Sequence, residues 1–163
     1  MPRSATDAET RIASDDHAAI RLWLRMLATN RLIETRTRRL LQERYATTLP
    51  RFDLMAQLER VPGGLKMGEL SKRMMVTGGN VTGITDMLEG EGLVERMDDP
   101  ADRRAWRVKL TRAGQRTFKA MAEEHERWIV EAFAVLSKRE MSAMAGLLGG
   151  LKAHVRSLEG RDT

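Results

Sequence analysis

The stretch Asp98–Gly114, DDPADRRAWRVKLTRAG, decides how this chain reads. It sets five basic residues, Arg103, Arg104, Arg107, Lys109 and Arg112, behind an acidic turn that contains Pro100. Trp106, Val108 and Leu110 alternate with Arg107 and Lys109, the period-two pattern of a strand with one buried face. With Leu93–Met97 as the outgoing strand and Asp98–Asp102 as the turn, the segment forms a two-stranded hairpin. A hairpin with arginine at its tip and return strand, placed just after a helical pair, suits contact with a DNA backbone or a minor groove.

The helical pair lies immediately upstream. Met67–Met75 and Thr77–Glu91 are two short segments separated by almost nothing, and Leu70, Met74, Val81, Ile84 and Leu88 are spaced to share a small apolar core, as a helix-turn-helix requires. Gly90 and Gly92 supply a stop before the hairpin. Further out, Asp16 to Thr47 is free of Gly and Pro and offers Ile20, Trp23, Leu24, Leu27, Ile33, Leu40 and Leu41 as candidate buried positions of one long helix. Pro50 suits the first turn of a second helix, which carries Phe52, Leu54, Met55 and Leu58 and stops at Pro62-Gly63-Gly64.

Downstream of the hairpin, Thr111 can cap a fifth helix whose Phe118, Met121, His125, Trp128 and Ala132 step by three and four. Ser137 and Glu140 have capping-box spacing for a sixth, in which Met141, Met144, Leu148, Leu151, Val155 and Leu158 repeat those steps. These helices exceed what a small winged domain needs for its own core. They fit a dimer interface or an intramolecular helical bundle equally well. The expected fold is mainly α with a small β-wing: a flexible arm at 1–15, a winged helix-turn-helix DNA-binding domain at 49–110, and a helical dimerisation region at 16–48 and 111–159.

With 163 residues the chain can bury a real core. Lys and Arg number 28 against 23 Asp and Glu, a formal net charge of +5 that favours an anionic partner without proving one. Zero cysteines remove disulfides, thiolate catalysis and thiolate zinc sites together. No apolar run approaches the roughly 20 residues of a membrane helix and the first residues lack a signal-peptide core, so a cytoplasmic protein with no membrane partner is expected.

In a winged helix-turn-helix the second helix enters the major groove. Here Thr77, Gly78, Gly79, Asn80, Thr82, Thr85 and Asp86 are the outward candidates, with Val81, Ile84 and Leu88 facing in. Asn80 can pair bidentately with adenine, threonines can serve donor or acceptor edges or touch a thymine methyl, and glycines let backbone come close. No Lys or Arg lies between Val76 and Glu91. Phosphate affinity must then come from Lys66, Lys72, Arg73, Arg103, Arg104, Arg107 and Lys109. The competing reading makes Asn80 and Thr82 ordinary solvated residues, and lets Arg103 and Arg104 pair with Asp98, Asp99 or Asp102 to hold the turn.

Taken together, L-x-x-x-x-x-V-T-x-x-x-V-T from Leu70, L-E-x-x-G-L-V from Leu88 and D-x-R-x-x-x-V-x-L-T-x-x-G from Asp102 to Gly114 resemble the MarR family of bacterial transcriptional regulators, over about residues 16 to 159. The resemblance implies a homodimer on pseudo-palindromic double-stranded DNA, usually a repressor, whose small aromatic effector binds between the wing domain and the dimerisation helices. It makes Asn80, Thr82 and Thr85 groove readers, Arg103 the minor-groove arginine, and Arg104 a brace for the wing against Asp102. The uncharged, glycine-rich recognition helix departs from the family pattern. TGGNVTG and FDLMAQLER further resemble the branch that governs breakdown of aromatic and hydroxycinnamic acids, some of whose members respond to acyl-CoA thioesters.

An effector pocket in that place draws on Trp23, Leu27, Arg31, Phe52, Met55, Met121 and His125, each of which also reads as plain core, interface or solvated surface. A CoA effector needs basic groups for its phosphates, which Arg25, Arg31, Arg36, Arg38 and Arg39 offer. Glu123, Glu124, His125 and Glu126 are consecutive on a helix and point different ways, so no metal site and no other cofactor is expected. No Gly-rich phosphate loop or nucleophile elbow appears, so the chain reads as a non-enzyme. The alternatives are a regulator of efflux or stress genes responding to phenolic compounds, and a winged-helix protein-interaction module that binds no nucleic acid.

Overall fold

A computed structural model describes residues 17–159, apart from the side chains of Arg103, Arg104 and Glu159. The arm expected at 1–15 lies outside the described residues. The elements run α1 (Ala18–Tyr45), α2 (Leu49–Glu59), β1 (Leu65–Lys66), α3 (Met67–Met74), α4 (Gly78–Gly90), β2 (Val94–Asp99), β3 (Asp102–Leu110), α5 (Arg112–Phe133) and α6 (Lys138–Glu159). The chain divides into two compact units, the first running to Met121 and the second starting at Ala122.

The core of the first unit gathers around the helix-turn-helix and its sheet. Phe52, Leu54, Met55 and Leu58 of α2, Leu70 of α3, Val81 and Leu88 of α4, and Val94, Val108 and Leu110 of the wing are all buried. Fully burying one such side chain is worth about 1.5–3 kcal/mol. Phe118 and Met121 of α5 join them, with the Phe118 ring 5.4 Å from that of Phe52. Of the apolar positions proposed for α1, Leu41 alone reaches this core, whereas Ile20 and Trp23 are exposed. The reason is geometric: α1 is 28 residues long, and its buried residues, Thr37 and Leu41, lie in its C-terminal half.

The sheet has three antiparallel strands in the order β1-β3-β2, where the sequence suggested two. Leu65 pairs with Val108 and Lys66 with Arg107, and a two-residue strand is too short to show an alternating pattern. Gly64, at φ +77°, makes the approach to this pairing, and a Cβ there would stand 2.7 Å from the Val108 carbonyl oxygen. On the other side, β2 pairs with β3 from Val94↔Leu110 to Asp99↔Asp102, with an irregularity between Asp98 and Asp99.

Local capping follows the sequence closely. Thr77 Oγ1 accepts from Asn80 N–H at 3.4 Å and opens α4. Thr111 Oγ1 accepts from Gly114 N–H at 3.0 Å and donates to the Gly92 carbonyl at 2.7 Å, so one hydroxyl starts α5 and ties it to the approach to β2. Gly114 has no substitute in that packing, because a Cβ would collide with the Leu93 carbonyl oxygen. This gives the glycine of the L-T-x-x-G run a steric cause.

In the second unit, the Glu140 carboxylate accepts from the Ser137 N–H and hydroxyl at 2.8 and 2.7 Å, which hold its pKa below the ordinary carboxylate value. Glu140 N–H donates back to Ser137 Oγ at 3.3 Å, completing the expected capping box. Along α6 the seam Met141, Met144, Leu148, Leu151, Val155 and Leu158 stays between 37 and 46% exposed in the single chain.

Candidate nucleic-acid interface

The second helix of the motif, α4, has a buried stripe and a bare face. Val81, Thr85 and Leu88, spaced i, i+4, i+7, are fully enclosed. Thr85 therefore does not face outward as expected; its hydroxyl donates to the Val81 carbonyl at 2.8 Å, within its own helix. Gly78, Gly79, Asn80, Thr82 and Gly83 are exposed, as is the capping Thr77. Thr82 donates to the Gly78 carbonyl at 3.0 Å, which leaves its methyl and an oxygen lone pair free to face outward. No hydrogen bond engages the Asn80 side-chain amide among the described residues. At Gly78, Gly79 and Gly83 nothing lies within 4 Å of where a Cβ would be, so no internal packing calls for glycine there.

The wing is organised around a buried carboxylate, that of Asp99. Its Oδ1 accepts the amides of Ala101 and Asp102, at 2.7 and 3.1 Å, and so shapes the turn at Pro100. Its Oδ2 accepts Arg107 Nε at 2.7 Å and lies 3.4 Å from Lys66 Nζ. Arg107 Nη1 reaches on to the Gly64 carbonyl at 3.1 Å. These partners, the Arg107 guanidinium first, hold the Asp99 carboxyl down at about 2.

Two cations expected on phosphates, Lys66 and Arg107, are thus engaged in joining the wing turn to the β1 edge. Lys109 pairs with Glu95 at 3.0 Å. Lys72 and Arg73 in the last turn of α3 are exposed and make no ion pair among the described residues. Arg103 and Arg104 lie in β3, and their side chains, with the roles expected of them, fall outside the described set.

Arg96, which is not among the site residues expected from the sequence, ties α4 to the wing. Its backbone N–H donates to Glu89 Oε1 at 3.2 Å, while its guanidinium bridges Glu89 and Asp86 of α4. The Asp86 hydrogen bond heads the causes that raise the Arg96 pKa above its ordinary value. Acids three residues apart on a helix, followed by a strand arginine, are the sequence signal that was available.

The residues expected to meet an effector differ in exposure. Phe52, Met55 and Met121 are at most 6% exposed and belong to the core of the first unit. Trp23 is 58% exposed, Leu27 half-buried and Arg31 exposed. His125 belongs to the second unit, where burial lowers its pKa and favours the neutral ring. An open depression of the first unit is lined by Arg38, Arg39, Gln42, Glu43, Thr47, Thr48 and Leu49.

A helix-turn-helix with a bare-faced second helix, followed by a braced antiparallel wing, defines a winged-helix nucleic-acid-binding protein. Residues 47–106 match the model of the MarR family. The chain is 30% identical over 111 residues to the uncharacterised HTH-type transcriptional regulator YsmB of Bacillus subtilis, covering 68% of this chain and 75% of that one. It is also 30% identical over 125 residues to the transcriptional activatory protein BadR of Rhodopseudomonas palustris, covering 71 and 70%. The crystal structure of a MarR family transcriptional regulator from Silicibacter pomeroyi superposes with a TM-score of 0.70 at 37% identity, over 86% of this chain and 99% of that one. This chain belongs to the MarR family of DNA-binding transcriptional regulators.

Proposed function

We propose that the chain works as a homodimer on a pseudo-palindromic operator and represses an operon for the breakdown of aromatic compounds. An aromatic acid or its CoA thioester releases it. The observation that carries the dimer is the α6 seam, whose six apolar side chains stand 37–46% exposed in the single chain. Repeating three-four spacing of that kind is buried by pairing with another helix. Two such protomers present two α4 helices to half-sites about one helical turn apart. Thr77, Gly78, Gly79, Asn80 and Thr82 meet the bases, and Lys72, Arg73 and Arg103 meet phosphate and the minor groove.

The effector class rests on the resemblance of TGGNVTG and FDLMAQLER to the aromatic-acid branch. Exposed arginines on α1, Arg25, Arg31 and Arg36 among them, supply the charge that a CoA tail needs. Footprinting on the DNA upstream of the chain's own gene, with and without each effector class, tests the reading. A symmetric protected site that is lost on adding effector supports it; uniform protection independent of sequence would sink it. BadR is a transcriptional activatory protein, so a transcription assay must decide the sign: rising output on adding the protein replaces repression with activation.

A further inference from the structure

The recognition helix carries acids and no base. Over Gly78–Gly90 the charged residues are Asp86 and Glu89, and Glu91 follows directly. Asp86 lies seven residues after Gly79 and four after Thr82, on the exposed face of the helix, and it is 59% exposed. Unpartnered carboxylates there would face a polyanion, and like charges across an interface oppose binding.

Each of the three has a cation brought from another element. Arg96 of β2 bridges Asp86 and Glu89, with its backbone N–H adding a third bond to Glu89 at 3.2 Å. Arg51 of α2 pairs with Glu91. Arg96 is in position for this because its cross-strand partner is the buried Val108, which turns both side chains to the face of the wing that α4 covers. Only 22% of its side chain is exposed, so most of its charge is spent on the helix.

We propose that Arg96 is a positioning residue for DNA reading that masks charge. It acts through Asp86 and Glu89 by cancelling their charge, so that the bare face approaches DNA as a neutral surface. The inference rests on α4 being the helix that meets DNA.

The test uses the full chain and a duplex that the wild-type protein selects from a random-sequence pool, with affinity read by fluorescence anisotropy and folding by circular dichroism. R96M should weaken binding by about tenfold or more. Removing the acids as well, in R96M/D86N/E89Q, should return affinity to within about threefold of wild type, which a purely structural clamp cannot do because the clamp stays broken. With Arg96 intact, D86N/E89Q should bind at least as tightly as wild type.

Wild-type affinity in R96M overturns the proposal, and so does a triple variant that folds yet stays as weak as R96M. Where R96M does not fold, D86N/E89Q decides: weaker binding than wild type overturns masking, equal or tighter binding supports it. Failure of the wild-type chain to enrich any duplex would sink the DNA-reading role of α4 and the inference with it. Enrichment followed by the wrong variant pattern sinks the inference alone.

Discussion

The helix α4 and the wing solve opposite problems with charge. On α4 the acids are cancelled from outside and the exposed face is left with glycines, Asn80 and Thr82. In the wing, charge is abundant, yet Arg107 and Lys66 are turned inward onto the buried Asp99 and Lys109 onto Glu95. A basic residue in the sequence is therefore not the same as a cation available to DNA. Packing follows the same contrast: the four glycines of α4, Gly78, Gly79, Gly83 and Gly90, stand in open space, whereas Gly114 and Gly64, which flank the sheet, are hemmed in by backbone.

The largest expected effect tests that difference in packing. Gly114→Ala should destabilise the fold by about 3 kcal/mol or more, since a methyl collides with the Leu93 carbonyl and the backbone must move. Urea unfolding measures it; a loss under about 1 kcal/mol would mean that the joint yields and the contrast is overstated.

Next comes the buried carboxylate. Asp99→Asn should lower the melting temperature and weaken DNA binding, because Arg107, Lys66 and the turn lose their common anchor. Asp99 titrates at about 2 in the fold against an ordinary 3.8, so its contribution is complete above 3.8 and is lost as pH falls from there through about 2. Urea midpoints of both proteins against pH should converge over that window. Curves that stay parallel down to pH 2 would remove the ion cluster from the account.

Gly83→Ala on α4 should act in the opposite direction to Gly114→Ala and stabilise by up to about 1 kcal/mol, the helix propensity gained where nothing clashes. A destabilised variant would show that the bare face serves the fold. The smallest effect is that of Lys72→Ala, about threefold in affinity with the salt slope reduced by about one, at unchanged melting temperature. Lys66→Ala should lower the melting temperature too, since its cation serves Asp99. Equal behaviour of the two lysines would erase the distinction between free and engaged cations.

What the sequence made legible was local. Thr111 and the Ser137–Glu140 pair announce their helices because a cap is a matter of three or four consecutive residues. The burial of Thr85 was also readable, from its place between Val81 and Leu88, but its hydroxyl suggested the surface. Arg107, Lys66 and Asp99 meet through strand register, which alternation alone does not fix, and β1 is too short to have any alternation. The role of Arg96 is hidden for a related reason. Its partners lie seven and ten positions earlier, across a turn whose geometry no local pattern specifies.

The contact between Gly114 and the Leu93 carbonyl has a mechanical side. With Thr111 bonded both to the Gly92 carbonyl and to the Gly114 amide, the base of the wing and the first turn of α5 share a joint with no slack. A force on the hairpin tip reaches α5 as it would through a lever with a welded fulcrum. Two hydrogen bonds and a backbone contact hold this corner, so the base of the wing and the start of α5 turn as one piece.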